Sequence, residues 1–197
     1  LQSPNMYRSA SGAPGPRYWQ QRADYDITAE LDDTRQKLTG AETITYYNNS
    51  PDPLTYLWLQ LDENEHDANS DNQQFNGSRM SDKMTMKDLN GILGYGKELG
   101  VKIVKVADGN GNALPYTINQ TILRVDLPKA LMPGEKYRLK VEWWYNIPNR
   151  MTIGGRGGYE HFPEDDNYLY TITQWYPRLA VYSDFQGWQN KQFNGAG

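Results

Sequence analysis

The chain is 197 residues long, 38% hydrophobic and 13% aromatic, with a net charge of −4 and no cysteine. The acidic balance leaves no basic stripe to neutralise a phosphate backbone, so nucleic acid is excluded as a partner, and without cysteine there are no disulfides and no thiolate-held zinc. No apolar run approaches the roughly 20 residues of a membrane-spanning helix. The length fits one large all-β domain or two small ones. Richness in Asn, Tyr and Trp points to the periplasm or exterior of a bacterium.

Residues 1–18 carry Gly12-Ala13-Pro14-Gly15-Pro16 and read as a flexible or docked leader. The terminus has neither an initiator Met nor an apolar signal stretch and reads as processed or trimmed. From Tyr25 to Leu31 the residues alternate, then turn through Asp32-Asp33-Thr34-Arg35 into Lys37 to Asn48, predicting a long hairpin. Asn48 to Pro53 is a loop, and Leu54 to Leu61 is a strand with Leu57, Leu59 and Leu61 on one face. Asp62 to Asp88 is polar and reads as a long surface insertion or a short helix, ordered by a partner domain.

Val101 to Ala107 and Ala113 to Ile118 read as two strands of one hairpin around Asp108-Gly109-Asn110-Gly111-Asn112. Thr121 to Leu127 is a further strand, and Pro128 to Gly134 turns the chain into Lys136 to Ile147. There Tyr137, Leu139, Val141, Trp143 and Tyr145 share one face, with Arg138, Lys140, Glu142 and Trp144 on the other. Gly154 to Gly158 reads as a mobile loop; it lacks the Lys-Ser/Thr and following helix of a phosphate loop. Asn167 to Thr173 is the final strand, placing Gln174 at a strand end, and Pro177 biases Tyr176 to an extended backbone. Hairpin turns and little helix together predict an antiparallel β-sandwich.

Metal sites are sparse. His66 and His161 lie about 95 residues apart, neither has a partner four residues away, and no H-E-x-x-H occurs. Asp67-Ala68-Asn69-Ser70-Asp71 opens like a calcium loop, but Asn72 stands where Gly is needed and Ser78 where the bidentate Glu belongs, so a solvated loop is expected. His161 to Asp166, with one His and three acids, reads the same way.

Tyr170-Thr171-Ile172-Thr173-Gln174-Trp175-Tyr176-Pro177-Arg178, followed by Gly187-Trp188-Gln189, is similar to a segment of the aminopeptidase N family of zinc metallopeptidases (gluzincins), in the subgroup reading Gln-Trp-Tyr-Pro. Asp24 to Ile27, Leu38 to Tyr46 and Leu57 to Leu61 extend the resemblance in the same order. What it implies is the saddle-shaped N-terminal β-domain, residues 19–197, of an enzyme that removes N-terminal residues from peptides. The catalytic domain and its zinc would then lie beyond Gly197, and this segment would bind no metal and hold no catalytic residue. Its partners would be that catalytic domain and the peptide substrate, across an apolar docking patch.

By the same resemblance Gln174 accepts a hydrogen bond from the substrate's free α-amine. Tyr176 stands where the family has a second Glu or Gln, which bears on the preference for the side chain of the first residue. Trp175 and Tyr176, with Trp188, form either a wall of that side-chain pocket or ordinary packing, and Gln174 is otherwise a cap on a strand edge. The rival reading is a non-catalytic carbohydrate- or peptide-binding β-sandwich, which would expose two or three coplanar Trp rings.

Overall fold

The computed structural model describes residues 3–71, 85–86, 98–153 and 157–194. Most of the polar stretch, including Asn72 and Ser78, lies outside these described residues, as do Gly154, Gly155 and Arg156 of the glycine-rich loop. What is described is an all-β, antiparallel structure of two facing sheets.

The first sheet is built on the hairpin of β1 (Arg22–Asp32) and β2 (Lys37–Tyr47), paired without a break from Arg22↔Tyr47 to Asp32↔Lys37. Its turn closes because the Asp32 carboxylate accepts from the Thr34 and Arg35 amides at 3.1 and 2.9 Å. β7 (Lys136–Asn146) lies along the other side of β2 over its whole length, and β4 (Lys102–Asp108) closes the sheet with a bulge between Ile103 and Lys105. The second sheet has the order β10 (Arg178–Leu179), β3 (Leu54–Gln60), β6 (Ile122–Leu131), β5 (Tyr116–Asn119).

The core forms where the two inner faces meet. Ile44, Leu139, Val141 and Trp143 from the first sheet pack on Leu59, Leu123 and Val125 from the second. Alternation along β2 sends Leu38, Gly40, Glu42, Ile44 and Tyr46 inward. Gly40 is required there. A Cβ on it would sit 2.6 Å from Cε2 of the Trp143 indole, which lies flat across this position.

Three sequence expectations change. The Asp108 to Asn112 turn forms, with the Asp108 carboxylate accepting from the Asn110 and Asn112 amides at 2.8 and 2.9 Å, but the hairpin lasts for a single bridge, Ala107↔Ala113, with the Leu114 amide donating to the Val106 carbonyl at 3.0 Å. Beyond Leu114 the chain crosses to the other sheet, so β4 joins β7 while β5 joins β6. Pro115 has no amide for a continuing ladder, and its carbonyl already accepts from Asp126 of β6 at 3.0 Å. Secondly, β6 runs through Pro128 to Leu131, because Pro128 falls where pairing to β3 is interrupted and β5 has already ended. Thirdly, the last long strand, β9 (Asn167–Thr171), stops two residues early, where it meets the end of its partner β8 (Gly158–Phe162).

Residues 62–66 form a 3₁₀ turn after β3, stitched to its surroundings by Asn64, which accepts from the Val101 amide and donates to the Gln120 carbonyl. Residues 3–18 lie against the C-terminal segment, where Arg8 forms a two-pronged ion pair with Asp184 at 2.8 Å. A last ribbon pairs β11 (Tyr182–Ser183) with β12 (Gly187–Trp188).

Candidate functional site

Between β9 and β11 the chain forms a strap, residues 172–180, that crosses from the β8–β9 hairpin to the edge of the second sheet. Gln174 lies on it with an exposed side chain and a left-handed backbone, φ 51°. A non-glycine residue holds that conformation only when its neighbours enforce it, and here those neighbours are anchored. Trp175 packs on Trp143 with ring centroids 5.9 Å apart, and Tyr176 meets Tyr25 edge-on at 5.4 Å. Pro177 is buried. The result is an exposed polar side chain on a fixed base, three residues beyond the end of β9 rather than at a strand terminus.

Further along, β10 holds the strap to β3 through only two residue pairs, Arg178↔Gln60 and Leu179↔Leu59. Two long-range bonds supplement them. The Leu179 amide donates to Tyr25 Oη at 2.8 Å, and the Ala180 amide donates to the Trp58 carbonyl at 2.8 Å. The Arg178 guanidinium grips Asp62, which is 2% exposed, at 2.8 and 2.9 Å. Burial raises the Asp62 carboxyl above its ordinary value, and the bond from Arg178 opposes this.

Trp188 does not join Trp175 and Tyr176. It stacks on Tyr46 at 6.1 Å and packs on Tyr182 at 5.0 Å, in the smaller core cluster at the other end of the sandwich. Trp175 and Tyr176 themselves are half-buried against the main core, so both serve as packing whatever else they touch. None of the six Trp residues is exposed, and the coplanar platform that a glycan-binding module presents is not formed. The β8–β9 hairpin does show large apolar side chains to solvent, namely Phe162, Tyr168 and Leu169.

Neither histidine fits zinc. His66 sits beside Glu65 at 3.6 Å, and burial lowers its pKa to about 4. His161 stacks on Tyr168 at 4.6 Å with Asp166 at 3.0 Å. Among the described residues no three His, Asp or Glu side chains converge as ligands would. The 197-residue chain is therefore expected to leave dialysis without stoichiometric zinc; retention of one zinc per chain, read by elemental analysis, would contradict this ligand inventory.

Two buried acidic features escaped the sequence reading. The first is the 3₁₀ turn, where burial lifts Glu63 to about 8 and Glu65 to about 7. The second is Glu42, 3% exposed, with neither carboxylate oxygen hydrogen-bonded among the described residues. Burial alone lifts its pKa to about 8. The signal for Glu42 was present, since it falls in phase with Leu38, Ile44 and Tyr46 on the inward face of β2.

The sequence matches no family model and no curated protein. Among solved structures it is similar to an M1 zinc metallopeptidase from Deinococcus radiodurans (16% identity, 66% of this chain and 21% of that chain, TM-score 0.41). It is also similar to a variant of that kind from the same organism bound to a Tyr-Ser-Ala substrate (16% identity, 69% and 23%, TM-score 0.41). A further variant structure from that organism matches over 81% of this chain and 31% of that chain, at 14% identity and TM-score 0.42. The chain thus spans between about a fifth and a third of the length of the structures it matches.

Proposed function

We propose that this chain is the N-terminal β-domain of a zinc-dependent aminopeptidase, exported to the periplasm or cell exterior. In this reading it contributes Gln174 to the cleft of a catalytic domain that follows in the same polypeptide. The observation that carries the proposal is the strap. It presents the exposed Gln174 side chain, at a strained backbone position, immediately before two aromatic anchors, Trp175 and Tyr176. A neutral amide oxygen held this way is suited to accept from an ammonium group, and charge on the donor strengthens such a bond. The residue pattern from Tyr170 to Arg178 supports the same assignment. Tyr176, turned toward Tyr25, supplies packing where a second acceptor would stand, so Gln174 carries amine recognition alone.

The test is Gln174→Ala in the full-length protein. Loss of one charge-assisted bond of about 1.5–3 kcal/mol lowers kcat/KM on free-amine peptides by on the order of 10- to 100-fold. Peptides with a blocked amine never make the bond and lose much less. Equal losses on both substrates would reduce Gln174 to a structural turn residue.

A further inference from the structure

Glu42 is buried on the inward face of β2, close to Tyr25, whose hydroxyl holds the strap at Leu179. On the inner face of the first sheet Glu42 is flanked by Gly40, which supports Trp143, and by Ile44, which pairs with Tyr25 of β1. Trp143 carries Trp175, while Tyr25 carries Tyr176 and the Leu179 amide. The two supports of the strap therefore stand on either side of this carboxyl.

We propose that Glu42, Tyr25 and the strap form a pH-sensitive latch, in which an uncharged Glu42 keeps residues 175–180 closed and its ionisation releases them, and Gln174 with them. The role of Gln174 in this statement rests on the function proposed above; the latch itself does not.

The groups that face Glu42 show why release takes this route. On β1 the nearby titratable group is Tyr25, whose hydroxyl burial pushes up to about 12, so it stays neutral. On the same inner face Tyr46 of β2 and Tyr137 and Tyr145 of β7 are also raised by burial and uncharged. From the strap come Tyr176 and Arg178, and the Arg178 charge is committed to Asp62. From the second sheet the facing residues are apolar, Leu59, Leu123 and Val125. Among the described residues nothing compensates a charge on Glu42, so an ionised carboxylate needs water. Reaching it through β1, β2 or β7 would break long, continuous ladders, whereas lifting the strap breaks two strand pairs, the Leu179 to Tyr25 and Ala180 to Trp58 bonds, the Arg178 to Asp62 pair and the packing of Trp175 and Tyr176. Local opening follows the weaker route.

The direction follows from linkage. Open, Glu42 titrates near its ordinary 4.5; closed, near 8. Opening therefore releases a proton between these values and is favoured as pH rises, by about tenfold per pH unit, levelling above pH 8.

Amide hydrogen exchange on the 197-residue chain, corrected for intrinsic rates, reads this directly. Between pH 5 and 7, protection of Leu179 and Ala180 is expected to fall by about tenfold per unit and to stay well below that of Ile44 in β2, which exchanges only when the whole fold opens. In Glu42→Gln the strap amides lose this pH dependence. In Tyr25→Phe the Leu179 amide loses its acceptor and is poorly protected at every pH. Equal protection at Leu179 and Ile44 would mean that the strap opens only with the whole fold, and flat strap protection in the wild-type chain would mean that Glu42 does not act at all; either result overturns the latch. The wild-type comparison stands even if a variant fails to fold. No activity is measured, so failure here leaves the assignment of Gln174 untouched, and the reverse also holds.

Discussion

Unfolding of this chain by urea is expected to show stability falling as pH rises from about 5 to 8, and Glu42→Gln is expected to remove from that fall a share of up to about 1.4 kcal/mol per pH unit. The sign is fixed by which state holds the proton. Folded, Glu42 keeps it up to about pH 8; unfolded, it gives it up near 4.5. Its contribution is therefore complete below pH 4.5 and is lost as pH climbs through 8. One proton per molecule corresponds to a slope of about 1.4 kcal/mol per pH unit, so the full range is on the order of 3–5 kcal/mol. Glu63 and Glu65, raised to about 8 and about 7, slope the same way. His66, lowered to about 4, acts oppositely, losing stability as pH falls from 6.5. Comparing Glu42→Gln with the parent at each pH cancels these other groups. Parallel curves for the two proteins would refute the assignment.

The second large effect belongs to Gly40 and Trp143. Trp143→Ala empties the largest fully buried side chain of the core and undercuts Trp175, and is expected to cost about 3–5 kcal/mol. Gly40→Ala places a methyl group against the indole and should cost about 1–3 kcal/mol by overpacking. The two are not independent. In a Trp143→Phe background the smaller ring gives the methyl room, so Gly40→Ala should cost less there than in the parent. A double-mutant cycle by chemical denaturation measures this coupling, and strict additivity would show that the indole does not depend on Gly40.

How far the sequence foretold these features depended on the range of the interaction. The β1–β2 hairpin and β7 were legible because each buries one face, so alternation marks both the strand and its inward residues. The Asp108 to Asn112 turn was legible as a turn, and its hairpin was read as longer than the single bridge it makes. The carboxylate of Asp108 caps the loop in either case, and only Pro115 and the pairing to Asp126 decide that the chain changes sheets. The Tyr170 to Arg178 pattern located the strap. It did not reveal that Gln174 adopts a left-handed backbone, because the anchors Trp143 and Tyr25 come from other strands. The Arg178 to Asp62 pair joins residues 116 apart, with no local signature at either end. Glu42 was readable from its phase, yet its charge argued for the surface.

The placement of β7 beside β2 also sets a schedule for synthesis. These partners are separated by about a hundred residues, although they form the centre of the first sheet. At roughly 5–20 residues per second, a ribosome takes on the order of 5–20 s to deliver β7 after β2 has emerged. Throughout that interval the hairpin of β1 and β2 offers an open edge and an uncovered Ile44 and Tyr46 to anything nearby. The nascent chain is at its most vulnerable to mispairing while it waits, and chaperone dependence should track how slowly residues 48–135 are translated.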